Sequence, residues 1–316
     1  MRIAVQMDPI DSLFVPRDTS LALMMEAARR GHETWWLHPD DLYFDRGRML
    51  AAAAQVEISD QEGAHYRTLK QETLPVSAFD AYLIRQDPPF DMGYVSNTYL
   101  LERAAEDTLV LNNPRGVRNI PEKLSTLAFP HLIARTFVGR RIEAIHAFAK
   151  EFDTVVLKPS FLAGGEGVIK LQAGAADFDW RVREFLKGVG KEPIVVQEYL
   201  PRVMDGDKRV FVLAGQPVGA VRRMPRGGDF RANLHAGGEA TEGALDARDR
   251  EIAAAVAPLL AREGIVFAGL DVIDGRLTEI NVTSPTLVRE LKRLSGIDVP
   301  KLFWDAVEPM MQARAR

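Results

Sequence analysis

Apolar runs bounded by turn residues divide the first third of the chain into strands and helices. Residues 3–5 predict a buried strand, residues 21–30 a helix with Gly31 at its stop position, and residues 33–37 a second strand. Further elements are predicted at residues 80–85 (strand), 94–106 (helix) and 109–111 (strand). A strand–helix–strand opening favours a right-handed unit with parallel strands. The first ~115 residues are therefore predicted to form one doubly wound α/β domain.

The pattern changes in the rest of the chain, where extended runs come in adjacent pairs. Strands are predicted at residues 154–158, 194–198, 209–213, 218–223, 266–273 and 277–282. Helices are predicted to begin near Pro121 and to cover residues 142–152, 179–188, 249–263, 285–294 and 300–313. Paired strands with interleaved helices favour α+β organisation. Residues 226–238, which are rich in glycine, predict a long mobile loop, and loops of this length are usually functional.

The composition of the 316-residue chain narrows the function classes. Apolar residues (47%) and charged residues (27%) are close to the averages of soluble globular proteins. The 40 basic and 44 acidic side chains give a net charge of −4, so no basic excess favours nucleic acid. The lack of cysteine excludes a disulfide scaffold, a zinc ribbon and a cysteine nucleophile. Without a membrane-length apolar run or a signal-peptide pattern at the start, we expect a cytoplasmic protein that has no membrane partner.

Lys158 and the glycine-rich stretch behind it are the first candidates for chemistry. Lys158 closes an apolar run, and a lysine there is either a snorkelling edge residue or a charge aimed at a ligand. Gly164, Gly165 and Gly167 follow, and glycines let backbone N–H groups approach an anion closely. A plain hairpin turn would also use glycines. The pair of features indicates a phosphate-binding loop only in combination with other site residues.

Oxygen-bearing side chains line two runs near the C terminus. Asp274–Gly275 joins the runs and is typical of a hairpin with a type I′ turn. Glu279 and Asn281 are two residues apart and share one strand face, and Asp271 can oppose them from the neighbouring strand. Three oxygen ligands suit a hard cation such as Mg²⁺ bridging phosphates. The solvated face of a one-sided sheet would show the same pattern.

Arginines at the ends of predicted strands form a third group. Arg85 and Arg223 each close a strand and Arg209 opens one. Such arginines usually lie at the surface, but beside a nucleotide they hold carboxylate or phosphate oxygens. The sequence has no Gly-x-Ser-x-Gly elbow and no histidine pair at the spacing of a metalloprotease helix, which argues against both hydrolase classes.

Six sequence blocks together resemble one known family. They are DPI at 8–10, RQDPPFD at 85–91, EKL at 122–124, LKP at 157–159, DGDKR at 205–209 and LTEINVTSPT at 277–286. In this order they resemble the bacterial glutathione synthetases of the ATP-grasp superfamily. The resemblance covers essentially the whole chain, and the second and last blocks are the most specific.

The resemblance implies an ATP-grasp fold, α/β and α+β in class, with an N-terminal doubly wound α/β (pre-ATP-grasp) domain. It places a substrate-side domain at 1–120, a lid subdomain at 121–200 and the catalytic ATP-grasp domain at 201–316. It also implies a ligase that joins γ-glutamylcysteine and glycine through an acyl phosphate, with ATP as co-substrate and Mg²⁺, or alternatively Mn²⁺, as cofactor. The alternatives are the same chemistry with another amine acceptor or γ-glutamyl dipeptide, and a non-catalytic ATP-binding protein.

The resemblance also implies a role for particular residues. Phosphate contacts fall to Lys123 and Lys158, with Gly164, Gly165 and Gly167 closing over them. The adenine hinge would be Gln197, Glu198, Tyr199 and Leu200, with Asp207 near the ribose. Arg209 and Arg223 would face the transferred phosphoryl group, Asp271, Glu279 and Asn281 would bind the metal, and Arg85 and Ser284 would lie toward the peptide. The partners would be these small-molecule substrates, and the enzyme would be a homo-oligomer, a tetramer by resemblance to the family.

The chain departs from the family pattern in two places. Residues 160–167 carry bulky side chains where the family usually has an earlier glycine and a smaller residue, and Ala134–Arg135 stands where paired prolines are common. Neither departure touches the lysine or metal positions. Bulk in the glycine-rich stretch is expected to alter loop closure or nucleotide affinity.

Overall fold

The computed structural model describes residues 1–226, 230–232 and 238–314, and their strands form sheets of seven, four and five strands. The strands are β1 (Arg2–Gln6), β2 (Glu33–Leu37), β3 (Leu42–Asp45), β4 (Arg48–Ile58), β5 (Tyr66–Pro75), β6 (Ala81–Ile84), β7 (Leu109–Leu111), β8 (Thr136–Gly139), β9 (Thr154–Pro159), β10 (Ile169–Gln172), β11 (Ile194–Glu198), β12 (Asp207–Leu213), β13 (Gln216–Met224), β14 (Glu239–Gly243), β15 (Phe267–Ile273) and β16 (Arg276–Asn281). The α-helices are α1 (Thr19–Arg29), α2 (Met92–Ala104), α3 (Pro114–Asn119), α4 (Ile142–Ala149), α5 (Phe178–Gly188), α6 (Ala247–Arg262), α7 (Val288–Ser295) and α8 (Val299–Arg314).

The seven-stranded sheet contains the predicted parallel unit. Strand β1 pairs in parallel with β2 and β6, and β6 pairs in parallel with β7. The Asp18 carboxylate caps α1 by accepting a hydrogen bond from the Leu21 amide at 2.5 Å. Gly31 follows the helix with a φ of 81°, a left-handed conformation that favours glycine. The strand–helix–strand prediction is confirmed.

Three antiparallel strands extend this sheet, and the sequence analysis missed them. The order is β3-β4-β2-β1-β6-β7, with β5 paired to β4. Strand β4 is rich in alanine, and most side chains of β5 are polar and exposed. Neither strand shows a clear alternation of apolar and polar positions, which is the usual signal for a half-buried strand. The N-terminal sheet is therefore a parallel core with an antiparallel extension.

The four-stranded antiparallel sheet has its own apolar cluster. Its order is β10-β9-β11-β8, and helices α4 and α5 contribute to the cluster. Residues such as Val155, Leu157 and Val196 are fully buried there. Strands β8 and β10 have only four residues each and were not predicted.

The five-stranded antiparallel sheet carries the predicted C-terminal hairpin. Its order is β14-β13-β12-β15-β16. Asp274 and Gly275 both have positive φ, at 50° and 67°, as a type I′ turn requires, so that prediction is confirmed. The short strand β14 was not predicted.

The helix predicted to begin near Pro121 is wrong. Helix α3 ends at Asn119, and only a short 3₁₀ turn, Leu124–Ala128, follows Pro121. Helix α3 starts after Asn113, whose side-chain oxygen accepts hydrogen bonds from the amides of Arg115 and Gly116, and Pro114 lies in its first turn.

Asn112 joins the N-terminal sheet to the five-stranded sheet. Its side-chain nitrogen donates to the carbonyls of Phe267 and Val282, both at 2.7 Å. Its side-chain oxygen accepts from the amides of Val266 and Phe267 at 2.9 and 3.0 Å. One buried amide thus pairs four backbone groups at the ends of β15 and β16. Two apolar clusters also run continuously from the N-terminal sheet into the five-stranded sheet.

None of the helices in the described part of the chain has both the length and the apolar character needed to cross a membrane. Most of the mobile loop predicted at 226–238 lies outside the described residues. Of that segment, the structure describes Arg226, residues 230–232 and Gly238.

We predict that Asn112→Ala strongly destabilises the protein. The change leaves four buried backbone groups without partners, and each unpaired group costs about 1–3 kcal/mol. Chemical denaturation should show a loss of about 3 kcal/mol or more in the free energy of unfolding.

Asn119→Ala is the matched control, because the exposed Asn119 makes a single side-chain bond to Glu263 at 3.2 Å. It should change the unfolding free energy by less than about 1 kcal/mol. Equal effects of the two substitutions would contradict the role of Asn112.

Candidate active site

A cleft of about 650 Å³ opens between the four-stranded and five-stranded sheets. Lys158 and Gly165 line it from the first sheet, and Asp207 and Glu279 line it from the second. Residues 198–200, at the end of β11 and just beyond it, line the cleft as well. All four residues expected at the adenine hinge lie at this cleft, namely Gln197, Glu198, Tyr199 and Leu200.

Lys158 points into the cleft from the end of β9. Its ammonium donates to the Gln197 side-chain oxygen at 2.9 Å, and the Gln197 nitrogen donates to the Thr136 hydroxyl at 2.8 Å. Burial, with the like charge of Lys123 nearby, lowers the pKa of Lys158, although Glu279 opposes the shift. Because Lys158 lines the cleft and its ammonium is held by Gln197, the geometry favours a charge aimed at a ligand over a snorkelling edge residue.

Lys123 lies on the floor of the same region and is almost completely buried. Its ammonium contacts the Glu122 carboxylate, donates to the Leu162 carbonyl at 2.6 Å and lies 3.7 Å from Glu279 Oε1. Burial alone would lower the pKa of Lys123, but Glu279 and Glu122 outweigh it and raise the pKa. Lys123 is therefore a fixed cation, and its bond to the Leu162 carbonyl also holds the backbone of the glycine-rich stretch.

The glycine-rich stretch forms a tight turn that only glycines adopt readily. Gly164, Gly165 and Gly167 have positive φ values of 65°, 79° and 67°. A Cβ on Gly167 would also lie 2.8 Å from Pro159 Cγ. Arg231 donates to the Gly165 carbonyl at 3.4 Å from the opposite side of the cleft.

Four charged side chains of the five-stranded sheet form a buried network on one face. Arg209 Nε and an Arg209 terminal nitrogen donate to the two oxygens of Asp271 at 2.5 and 2.9 Å. Arg223 lies 2.8 Å from Asp271 Oδ2 and donates to Asp207. The strand register explains the convergence, because Arg209 pairs with Asp271 across β12 and β15, and Asp207 with Arg223 across β12 and β13.

The network shifts the two carboxyl groups in opposite directions. Burial would raise the pKa of Asp271, but Arg209 and Arg223 outweigh it and hold the pKa below its ordinary value. Burial raises the pKa of Asp207 to about 6, and Asp271 adds to this although Arg223 opposes it. Asp207 Oδ1 and Arg223 Nε are buried and have no hydrogen-bond partner among the described residues. These two atoms are available to a bound ligand.

The three residues expected to hold a metal lie side by side. In the register of β15 and β16, Asp271 faces Glu279 and Gly269 faces Asn281. The Asn281 amide nitrogen donates to the Gly269 carbonyl at 3.3 Å, which leaves its side-chain oxygen as the ligand atom. Within the part of the chain that the structure describes, no three histidine or acidic side chains converge into a complete metal cage.

The acidic surroundings of Glu279 fit a divalent cation. Burial raises the pKa of Glu279 to about 8, with Glu122 and Asp271 adding to the shift against Lys123. A cation at this point would relieve the repulsion between these carboxylates, and oxygen donors suit Mg²⁺. Asp271 Oδ1 accepts from Arg209 alone and keeps a second lone pair, whereas Oδ2 faces both Arg209 and Arg223. Glu122 was not assigned a role from the sequence, although its place beside Lys123 in the 122–124 block was a usable signal.

Arg85 and Ser284 come together about the end of the N-terminal sheet. Arg85 donates to the Ser20 hydroxyl at 3.0 Å and to the Pro285 carbonyl at 3.1 Å, and its other terminal nitrogen is unpartnered among the described residues. Ser284 donates to Asp87 at 2.5 Å. The sequence prediction that both lie toward one substrate is compatible with this placement.

Two family models match the chain in succession. The model described as "Prokaryotic glutathione synthetase, N-terminal domain" matches residues 1–118, and "Prokaryotic glutathione synthetase, ATP-grasp domain" matches residues 122–296. Together they cover most of the chain.

Relatives named glutathione synthetase align over nearly the full length. The protein of Mesorhizobium japonicum is 42% identical over 311 residues, which cover 98% of this chain and 98% of that protein. The protein of Vibrio vulnificus is 38% identical over 317 residues, covering 100% of this chain and 99% of that protein.

Solved structures of lower identity share the fold. D-cycloserine synthetase DcsG has a TM-score of 0.66 at 18% identity, with 98% of this chain and 100% of that chain covered. The ATP-grasp ligase PsnB, solved with a phosphomimetic precursor variant, Mg and ADP, has a TM-score of 0.62 at 21% identity, with 100% and 98% covered. The fold is therefore the ATP-grasp fold, and with both family models and full-length relatives matching, the chain belongs to the prokaryotic glutathione synthetase family.

Proposed function

We propose that the protein joins γ-glutamylcysteine to glycine with ATP, giving glutathione, ADP and phosphate. The observation that carries the proposal is a connected set of charges at one cleft. Lys158, Asp207 and Glu279 line the cleft, and ion pairs join these carboxylates to Lys123, Arg223, Asp271 and Arg209 behind them. Membership of the family and the names of the full-length relatives support the same activity. A non-catalytic ATP-binding protein has no need for this set of charges.

The reaction proceeds in two steps. An oxygen of the cysteinyl carboxylate attacks the γ-phosphorus of ATP, the bond to the β-phosphate oxygen breaks, and an acyl phosphate and ADP result. The glycine amine then attacks the acyl carbon, phosphate leaves with the bonding electron pair, and the amine loses a proton to phosphate or water. Such phosphoryl transfer depends mainly on positioning and on charge stabilisation.

The side chains of this cleft divide those tasks. Lys123 and Lys158 hold the phosphates, with Gly164, Gly165 and Gly167 presenting backbone amides. Asp207 Oδ1 is placed to accept from a ribose hydroxyl. Arg209 and Arg223 stabilise the negative charge that develops on the transferred phosphoryl group and the acyl phosphate, and the unpartnered Arg223 Nε is a donor for it.

The remaining roles concern the metal and the peptide. Asp271, Glu279 and Asn281 would hold Mg²⁺, or Mn²⁺ in its place. Such an ion would neutralise negative charge on the phosphates. Arg85 and Ser284 face the peptide, with the unpartnered Arg85 nitrogen as a donor to a substrate carboxylate.

We further propose three functional parts at residues 1–120, 121–200 and 201–316, with ATP between the second and third. The separate apolar cluster of the four-stranded sheet supports a lid that moves as a unit. By resemblance to its family, the protein is a homotetramer, and its ATP-dependent reaction takes place in the cytoplasm.

ADP release tests the function directly. Purified protein with Mg²⁺ and ATP is given γ-glutamylcysteine, glycine or both, and the tripeptide is sought by mass spectrometry. Strong ADP release with both substrates, accompanied by glutathione, is expected. Release that is indifferent to glycine would point to another amine acceptor, and silence with retained ATP binding would favour a non-catalytic binder.

We predict that Glu279→Gln lowers kcat/KM by about 100-fold or more at ordinary Mg²⁺, because the substitution removes a charged metal ligand. Part of the loss should be recovered at higher Mg²⁺. Steady-state kinetics over a Mg²⁺ series measures both effects.

Glu72→Gln is the matched control, since Glu72 is an exposed carboxylate on β5. It should keep wild-type kinetics. Near-normal turnover of the Glu279→Gln protein would rule out the metal assignment.

We also predict that the ligand-free protein loses stability as pH rises toward 8. Because the folded pKa of Glu279 is raised from 4.5 to about 8, the folded state holds this proton more tightly than the unfolded state. The free energy of unfolding therefore falls as pH rises through that window. Above pH 6, where the raised pKa of Asp207 lies, the fall belongs mainly to Glu279.

Thermal unfolding of wild type and Glu279→Gln between pH 6 and 8 measures the difference. The Tm of the variant should fall less with pH than that of wild type, and the Glu72→Gln protein should follow wild type. Identical slopes in wild type and Glu279→Gln would show that Glu279 does not hold a proton in the folded state.

A further inference from the structure

Three aromatic rings form a column that connects the N-terminal sheet with the glycine-rich stretch. Tyr94 lies on α2 and is fully buried, and its ring centroid is 5.1 Å from that of Phe90 in the loop between β6 and α2. Phe161, in the glycine-rich stretch after β9, also stacks with Phe90, with centroids 6.4 Å apart and planes at 26°. The column thus joins parts of the chain that are distant in sequence.

Phe90 and Phe161 border a cavity close to Lys123. The cavity has an open volume of about 350 Å³ and is lined by Phe90, Phe161, Ile120 and Val282. Glu122 also lines it, and Glu122 is the carboxylate that contacts Lys123. The two rings and the carboxylate that contacts Lys123 therefore line the same cavity.

The backbone next to Phe161 is already tied to the phosphate-binding lysine. Lys123 donates to the carbonyl of Leu162, the residue that directly follows Phe161. Beyond Leu162 come the glycines with positive φ, whose backbone has little conformational preference of its own. A stretch of this kind needs an anchor to keep its amides in one place, and Phe161 is the aromatic anchor available.

We propose that Phe161 is a positioning residue that, by stacking on Phe90, holds the glycine-rich stretch closed over the ATP phosphates and shields the acyl phosphate from water. The proposal rests on the proposed ligase function. The Phe161 ring touches no reacting atom. It acts through the backbone amides of the stretch and through the cavity wall.

The first test separates shielding from folding. In the Phe161→Ala protein we expect the KM for ATP to rise by about 3- to 10-fold, the range expected for loss of one aromatic pair. ADP should also form in at least about twofold excess over tripeptide, because unshielded acyl phosphate hydrolyses. Phe161→Tyr keeps the ring and should restore both the KM and a one-to-one ratio.

Trp180→Ala is the control, since Trp180 is an exposed aromatic residue on α5 of the same subdomain. It should leave both quantities unchanged. A one-to-one ratio with an unchanged KM in a folded Phe161→Ala protein would overturn the proposal.

The second test needs no ligase reaction. Hydrogen–deuterium exchange is measured at residues 160–168 of the full chain in wild type, Phe90→Ala, Phe161→Ala and the double variant. Phe90→Ala should speed exchange at 160–168 although Phe90 is far away in sequence, and the double variant should exchange no faster than either single one. Unchanged exchange in Phe90→Ala, or independent effects that multiply in the double variant, would overturn the proposal.

The same four proteins are titrated with a non-hydrolysable ATP analogue and Mg²⁺ by calorimetry. The three variants should each bind the analogue about 3- to 10-fold more weakly than wild type. Unchanged affinity would contradict the proposal that the Phe90–Phe161 pair positions the glycine-rich stretch. If wild type forms no tripeptide, the proposed function fails, while the exchange and affinity measurements still decide whether the ring pair positions the stretch.

Discussion

The buried pairing of Asp271 with two arginines is the interaction on which the site depends. Charged groups are costly to remove from water unless they are paired with good geometry. Here both oxygens of Asp271 face guanidinium groups, and Arg223 links onward to Asp207. Because every member sits in the register of the five-stranded sheet, the fold itself sets the positions of these charges. A cleft can then rely on them as a fixed electrostatic surface rather than on mobile side chains.

Asp271 is compensated within the network, but other charged groups at the cleft are not. Glu279 and Asp207 keep raised pKa values, and Lys158 a lowered one, because each is buried among charges that only partly match it. Such perturbed groups in one cleft are typical of functional sites. The lysines and arginines suit phosphates, and the carboxylates suit a divalent ion. A metal–nucleotide complex would therefore neutralise both the cationic and the acidic groups of the cleft. The ligand-free site is therefore organised for a partner with both signs of charge.

Local sequence signals were enough to predict much of the fold. The glycine at 31 and the Asp274–Gly275 turn each have a chemical reason that is independent of tertiary context, and the structure has both. The β4–β5 hairpin was missed because its alanines and exposed polar residues lack periodicity. Its strands form by pairing with each other, and β4 also pairs with β2 and β3. Only a short 3₁₀ helix follows Pro121, and the α-helix before it, α3, was missed although Asn113 caps it eight residues before Pro121.

For the candidate site, sequence blocks identified the charged residues but not their pairings. No spacing rule shows that Asn112 holds two sheets together or that Gln197 bridges Lys158 and Thr136, since both depend on strands far apart in sequence. The Phe90–Phe161 pair was likewise visible only in three dimensions. The sequence can predict which charged residues belong to the site, whereas the pairing of these charges depends on the strand register in the folded sheet.

Oxygen-isotope transfer tests the central claim most directly, namely that this cleft moves a phosphoryl group onto a carboxylate. γ-Glutamylcysteine with ¹⁸O in its cysteinyl carboxylate is converted with ATP, Mg²⁺ and glycine, and the phosphate released is analysed by mass spectrometry. An acyl phosphate requires one labelled oxygen to pass from the carboxylate into each phosphate. Tripeptide formed with unlabelled phosphate would contradict the account.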